Sequence, residues 1–280
     1  MDEMQLSIAI EQLMVARNPR QMEIARAALS SGYFLRAASQ LRDLTGTVII
    51  GTGFPVTGTF ETDGPVGAIA LYDTLEHLGA NTMIACGPPL SDSLCGDYRI
   101  LELRATDLPT ANIEAQLQLG ALQPDVVISI ERPGLAADGC YYNMLGVDIS
   151  ERCFFFDPYV TQANCPTIAI GDGGNEIGMG NINAALADLD IKPSITCCDE
   201  LLVADVSNWA AYGLIAFLGL WAGKDLLARL APTETLNYLS GHGSVDGVTG
   251  ENTLTEDGLS LREGLHIIRE LRALTGFEDA

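Results

Sequence analysis

From Thr47 onward the chain repeats one unit: a short apolar run rich in β-branched residues, a polar turn, then a stretch of helical period or turn composition. The runs are TVIIG, NTMIAC, YRILEL, DVVISI, PTIAIG and SITCC. Short continuous apolar runs bounded by turn signals read as strands buried on both faces. Alternating with helices, they argue for an α/β fold with a largely parallel or mixed sheet and helices on both faces. Helices are expected over residues 64–78, 112–120, 176–189, 206–230 with a break near Gly223, and 259–274. Residues 1–44 read as a helical N-terminal segment, in which Asn18-Pro19 separates two helices. No repeat, low-complexity tract or linker divides the sequence, so residues 1–280 read as one domain.

The charge balance removes several function classes. Against 37 acidic residues stand 15 basic ones, a net charge of −22, and the lysines are Lys192 and Lys224 alone. Such a surface repels nucleic acid and anionic membranes, so neither is expected as a partner. The opening MDEMQLSIAI carries acids where export and mitochondrial signals need positive charge or avoid acids, which points to a cytoplasmic protein. The most apolar stretch, residues 209–222, is shorter than the roughly 20 residues a bilayer crossing needs and reads as a buried helix. Seven cysteines, an odd number without CxxC spacing, are expected to be reduced, buried and inert. Net charge alone keeps a protein soluble, so only the local clustering of acids calls for a chemical account.

Three runs end in polar, glycine-containing segments, and open α/β sheets bind ligands at the carboxyl ends of their strands. In GDGGNEIGMGN, residues 171–181, the glycines let the backbone approach a ligand, and the amides of Gly173, Gly174 and Asn175 are an anion seat at a helix start. Neither GxGxxG nor GxxxxGK spacing is present, so no nucleotide cofactor is expected. Asp172 and Glu176 can face one pocket, as ligands of a divalent metal or as an acid and base pair; alternatively Asp172 merely caps a helix. In ETDGP, Asp63 reads as an N-cap with Pro65 in the first turn, leaving Glu61 for a metal or substrate. ERPGLAADGCYYN sets Glu131, Arg132 and Asp138 beside Tyr141, Tyr142 and Asn143. The Arg132 fork matches a substrate carboxylate, or an ordinary ion pair with a nearby acid. His77, His242 and His266 are too few for a histidine-rich zinc site, so any metal would be a hard ion, Mg²⁺ or Mn²⁺, held by oxygens. Residues 240–257 form a polar, glycine-rich stretch longer than an ordinary connection, which marks a functional or mobile loop.

Read together, GTGFP with ETDGPVGA, ERPGLAADGCYYN and GDGGNEIGMG resemble the signature blocks of the D-glutamate cyclase family. LLVADVSNWAAYGL and GSVDGVTGENTLTEDGL resemble its later blocks, with Asp205, Ala210 and Ala211 where glycines are expected. The resemblance implies a lyase that converts D-glutamate to 5-oxo-D-proline and water without ATP. Eukaryotic members are mitochondrial with an extra N-terminal domain, whereas this chain matches the cyclase part, again suggesting a cytoplasmic protein. On that reading Asp172, Glu176 and Asp138 are catalytic, and Glu61, Asp63, Glu131, Asp172 and Glu176 are candidate metal ligands. Arg132 would hold the α-carboxylate, and Gly173, Gly174 and Asn175 the oxyanion. Thr52, Tyr142, Asn143, Ser207 and Asn208 complete the substrate site. Rival readings are a metal-dependent, phosphatase-like hydrolase using the same acids and a non-catalytic binder of acidic amino acids; homo-oligomerisation is left open.

Overall fold

A computed structural model describes residues 1–277. Six strands, β1 (Thr47–Thr52), β2 (Asn81–Cys86), β3 (Ile100–Glu102), β4 (Val126–Ile130), β5 (Thr167–Gly171) and β6 (Glu200–Val203), pair in parallel in the order β3-β2-β1-β4-β5-β6. The central β1 and β4 are buried because their residues are apolar on both faces, as in Val48, Ile49, Ile50 and Val126, Val127, Ile128.

Three helices precede the sheet, α1 (Glu3–Met14), α2 (Met22–Ala28) and α3 (Tyr33–Ser39), where two were expected. The additional break falls at Gly32, whose φ of +91° starts α3 and whose N–H is held by the buried Glu11 carboxylate at 2.7 Å. The remaining helices are α4 (Pro65–Leu78), α5 (Leu90–Leu94), α6 (Leu108–Leu122), α7 (Asp157–Thr161), α8 (Ser207–Ala222), α9 (Pro232–Gly241) and α10 (Leu261–Thr275). Right-handed crossovers running outward through α4 and back through α6 place those helices on opposite faces of the sheet. α8 is apolar all round because it is surrounded by α4, α10, α3 and the sheet, and it stops at Gly223 with φ +61°. No helix among the described residues is long and apolar enough to cross a membrane, and all seven cysteines are free thiols, though of these Cys86 and Cys153 alone are buried and Cys95 and Cys197 are exposed, contrary to expectation.

Two expected elements are corrected. The SITCC segment is not a strand: its amides and carbonyls engage loops, Ser194 N–H on the Gly174 carbonyl at 3.0 Å and Ile195 N–H on the Leu135 carbonyl at 2.8 Å, and Ile195 is exposed. The sixth strand is the following ELLV, whose Leu201, Leu202 and Val203 are fully buried. Nor is there an α-helix over residues 176–189. The amides of Gly178 and Gly180 both donate to the Thr196 carbonyl, leaving only a kinked 3₁₀ segment at Met179–Leu186.

The strand order reverses direction between β1 and β4. Their carboxyl ends therefore diverge around a crevice, the place where ligands bind in sheets of this order.

Candidate active site

The crevice gathers polar and charged groups from distant parts of the chain. Thr52 ends β1, Glu61 and Asp63 lie in the connection to α4, Glu131 follows β4, Asp172 follows β5, and Ser207 and Asn208 open α8. Arg20 enters from the turn between α1 and α2, and Asp257 from the loop before α10. Of these, Arg20, Glu61, Glu131, Asp172 and Asp257 line a cavity of about 300 Å³, giving it an acidic floor, and Phe54, Met144, Ile149 and Val248 add an apolar wall. Glu131 sits at φ +47°, a left-handed conformation costly for a residue with a Cβ, directly at the strand end.

Helix α4 begins at Gly64, with φ +91° and Pro65 at its first position. A Cβ on Gly64 would lie 2.8 Å from both the Glu131 Cβ and the Thr52 hydroxyl, so the close approach requires glycine. Asp63 does not cap this helix, contrary to the expectation from ETDGP. Its carboxylate instead accepts the first amides of α8, Ser207 N–H at 2.9 Å and Asn208 N–H at 2.8 Å. Asn208 returns the arrangement: its side-chain oxygen accepts Gly64 N–H at 2.9 Å and Gly67 N–H at 2.6 Å. The positive ends of α4 and α8 thus converge on the acids. Ser207 donates its hydroxyl to Glu131 at 2.5 Å, and Asn208 donates its amide to Glu256 at 2.8 Å.

Arg20 is ion-paired with this acidic floor. Arg20 donates to the Asp172 carboxylate through one guanidinium nitrogen and meets Asp257 at 2.5 Å through another. Burial pushes Asp63 and Asp257 up to about 8, reinforced by the Asp257 charge for Asp63 and the Asp172 charge for Asp257. Burial raises Glu256 to about 7. Glu61, Glu131 and Asp172 are driven well above the usual carboxylate range, again chiefly by burial, and Glu176 is raised as well. Oxygens of Asp63, Glu131 and Asp172 lie within 4.8 Å of one another, so each charge disfavours ionisation of the others. Near neutral pH the floor is therefore a reservoir of protons as well as of charge.

Several candidate residues have other duties. Arg132 is buried with its guanidinium turned to the carbonyls of Thr52 at 3.2 Å, Gly53 at 3.1 Å and Phe154, so it neither reaches the cavity nor forms an ion pair. It ties the β1 and β4 ends together. The Gly173-Gly174-Asn175 turn opens no α-helix, and the Gly174 amide is taken by Glu176 at 2.8 Å, which removes the anion seat. Asp138 is exposed and receives the Tyr142 hydroxyl at 2.8 Å, away from the cavity. Asn143 lines the cavity but spends its side-chain oxygen on the amides of Leu145 and Val147, both at 3.0 Å. Thr52 has its hydroxyl buried without a partner. Asn175 lines the cavity with its side-chain oxygen unpartnered, while its nitrogen donates to the Tyr142 carbonyl at 2.9 Å. Sequence reasoning missed Arg20 and Asp257. Asp257 closes the glycine-rich loop singled out at 240–257, but the only hint of Arg20 was the helix break at Pro19.

Comparison with known proteins follows the same lines. A family model described as D-glutamate cyclase-like, C-terminal, matches residues 10–272. The D-glutamate cyclase, mitochondrial, of Homo sapiens is 28% identical over 214 residues, covering 61% of this chain. The aligned part spans about a third of that relative's length, 32%. The match takes in Arg20, the three glycine-bearing strand ends and the Asp257 loop, and the chain belongs to the D-glutamate cyclase-like family.

Proposed function

We propose that this protein cyclises D-glutamate to 5-oxo-D-proline with loss of water. The observation that carries the reading is the Arg20 guanidinium, ion-paired to Asp172 and Asp257 among buried, proton-retaining carboxylates in a cavity at the switch point of the sheet. An acidic amino acid brings two carboxylates and an ammonium into such a site. A substrate carboxylate would displace Asp172 from Arg20, and the ammonium would meet the unpartnered Asn175 oxygen and the acids around it. Asp172, freed of its cation, is the base for the ammonium. The lactam C–N bond forms as the γ C–O bond breaks. Of the three ammonium protons, one stays on the lactam nitrogen and two leave with the departing oxygen as water. The protonated carboxyls of the floor relay those protons, and the apolar wall excludes bulk water from the folded substrate.

Asp63, Glu131 and Asp172 each offer an oxygen within 4.8 Å of one another, and this all-oxygen donor set fits Mg²⁺ or Mn²⁺. An ion bound there would polarise the γ-carboxylate. The same triad supports a second reading, a metal-dependent hydrolase that releases phosphate from esters. Proton NMR of the protein with D- or L-glutamate, each with EDTA or Mn²⁺, separates these cases. Formation of 5-oxoproline from the D isomer alone supports the cyclase and reports its metal requirement. No product from either isomer, with phosphate release from a generic ester, transfers the assignment to the hydrolase.

A further inference from the structure

The turn between α1 and α2 that delivers Arg20 is held by the segment that follows β6. Asp205, 1% exposed after β6, accepts Arg17 N–H at 2.7 Å on one carboxylate oxygen and Asn18 N–H at 3.0 Å on the other. Its own N–H donates to the Met14 carbonyl at 2.8 Å, so α1 and the end of β6 are joined at this point. Asn18 and Gln21 stand at φ +53° and +61°, left-handed positions that cost a side-chain-bearing residue free energy and persist only where neighbours impose them. Between those two bends lie Pro19 and Arg20, whose side chain is thereby aimed at Asp172 and Asp257. The Asn18 side chain closes the turn by accepting Glu23 N–H at 3.0 Å.

We propose that Asp205 is a positioning residue: by clamping the Arg17 and Asn18 amides it sets the place of Arg20, and so the affinity of the cavity for a carboxylate ligand. The inference rests on Arg20 as the carboxylate partner in the function proposed above, but not on turnover. An aspartate that merely satisfied two buried amides would stabilise the fold without acting through Arg20.

Calorimetric titration of the full chain with glutarate, a dicarboxylate that lacks the amine and cannot cyclise, makes the distinction. Asp205→Asn turns one oxygen into an N–H donor facing an amide, and should weaken glutarate binding at least tenfold. Arg20→Gln should weaken it similarly, and the double variant should bind no worse than Arg20→Gln alone. Glu263→Gln removes the ion pair of the Arg17 side chain at 2.6 Å, leaves both amide contacts, and should bind like wild type. Asp205→Glu, which keeps both acceptor oxygens but displaces them by one methylene, should weaken glutarate binding in the same direction and serves if Asp205→Asn fails to fold. Losses that add in the double variant, an Asp205→Asn affinity within twofold of wild type, or absence of glutarate binding by wild type would each overturn the proposal. A protein that binds glutarate in the expected order yet forms no 5-oxoproline would retain the clamp and lose the cyclase reading.

Discussion

Asp63 and Asn208 cap each other's helices, the first taking the opening amides of α8 and the second those of α4. Neither cap can be altered without unpairing buried donors on the partner helix. Asn208→Ala strands the Gly67 amide and one Glu256 oxygen and leaves the Gly64 amide to Asp63 alone, and should cost about 3 kcal/mol, measured as a fall in the urea midpoint at unchanged slope. Gly67→Ala should act in the same direction, since its Cβ would fall 2.8 Å from the Asn208 Cα.

Arg20 and Arg132 should separate cleanly. Arg20→Lys keeps a charge but loses the fork that spans Asp172 and Asp257, and should raise KM for D-glutamate about tenfold or more with little loss of stability. Arg132→Lys should do the reverse, lowering stability by about 2 kcal/mol as carbonyls lose their donors while KM stays near wild type. Steady-state kinetics beside denaturation curves read both effects.

Removing the base is the test of the chemical step. Asp172→Asn should lower kcat by about 100-fold or more, because it keeps the shape but not the proton affinity. Full turnover in this variant would remove Asp172 from the chemistry.

Stability should fall as pH rises. Glu256 is raised to about 7, and Asp63 and Asp257 to about 8, above the ordinary carboxylate range of an unfolded chain. Between about pH 4 and pH 8 the native state therefore keeps protons that the unfolded chain has released, and the stability present below that range is lost through it. Each such proton contributes a slope of about 1.4 kcal/mol per pH unit. Urea midpoints at pH 6, 7, 8 and 9 should decline, and a midpoint rising with pH would contradict the assignment of the buried acids.

The sheet was legible because strands buried on both faces write themselves as unbroken apolar runs, and β1, β4 and β5 stand where TVIIG, DVVISI and PTIAIG place them. SITCC misled for the same reason: composition cannot tell that the hydrogen-bonding groups of an extended apolar segment are claimed by loops rather than by a neighbouring strand. Within the crevice, Glu61, Glu131 and Asp172 were readable because each follows a strand or its turn. Arg132 was misread, since a guanidinium beside acids in sequence gives no sign that backbone carbonyls will occupy it. Arg20 was illegible, because its place depends on Asp205, remote in sequence and paired with main-chain groups that carry no side-chain signature.

The Arg20–Asp257 ion pair joins segments from near opposite ends of the described chain, while α1 packs against α10 beside it. Loop closure makes contacts of such separation late events in folding, so the sheet can assemble around an acidic pocket before its cation arrives. Ligand affinity is then a readout of the final docking step, and a chain stalled before it would have a formed core and an inert mouth. A circular permutant opened in an exposed surface loop, which brings these segments close in sequence, would complete its binding site earlier in folding while leaving the finished cavity the same.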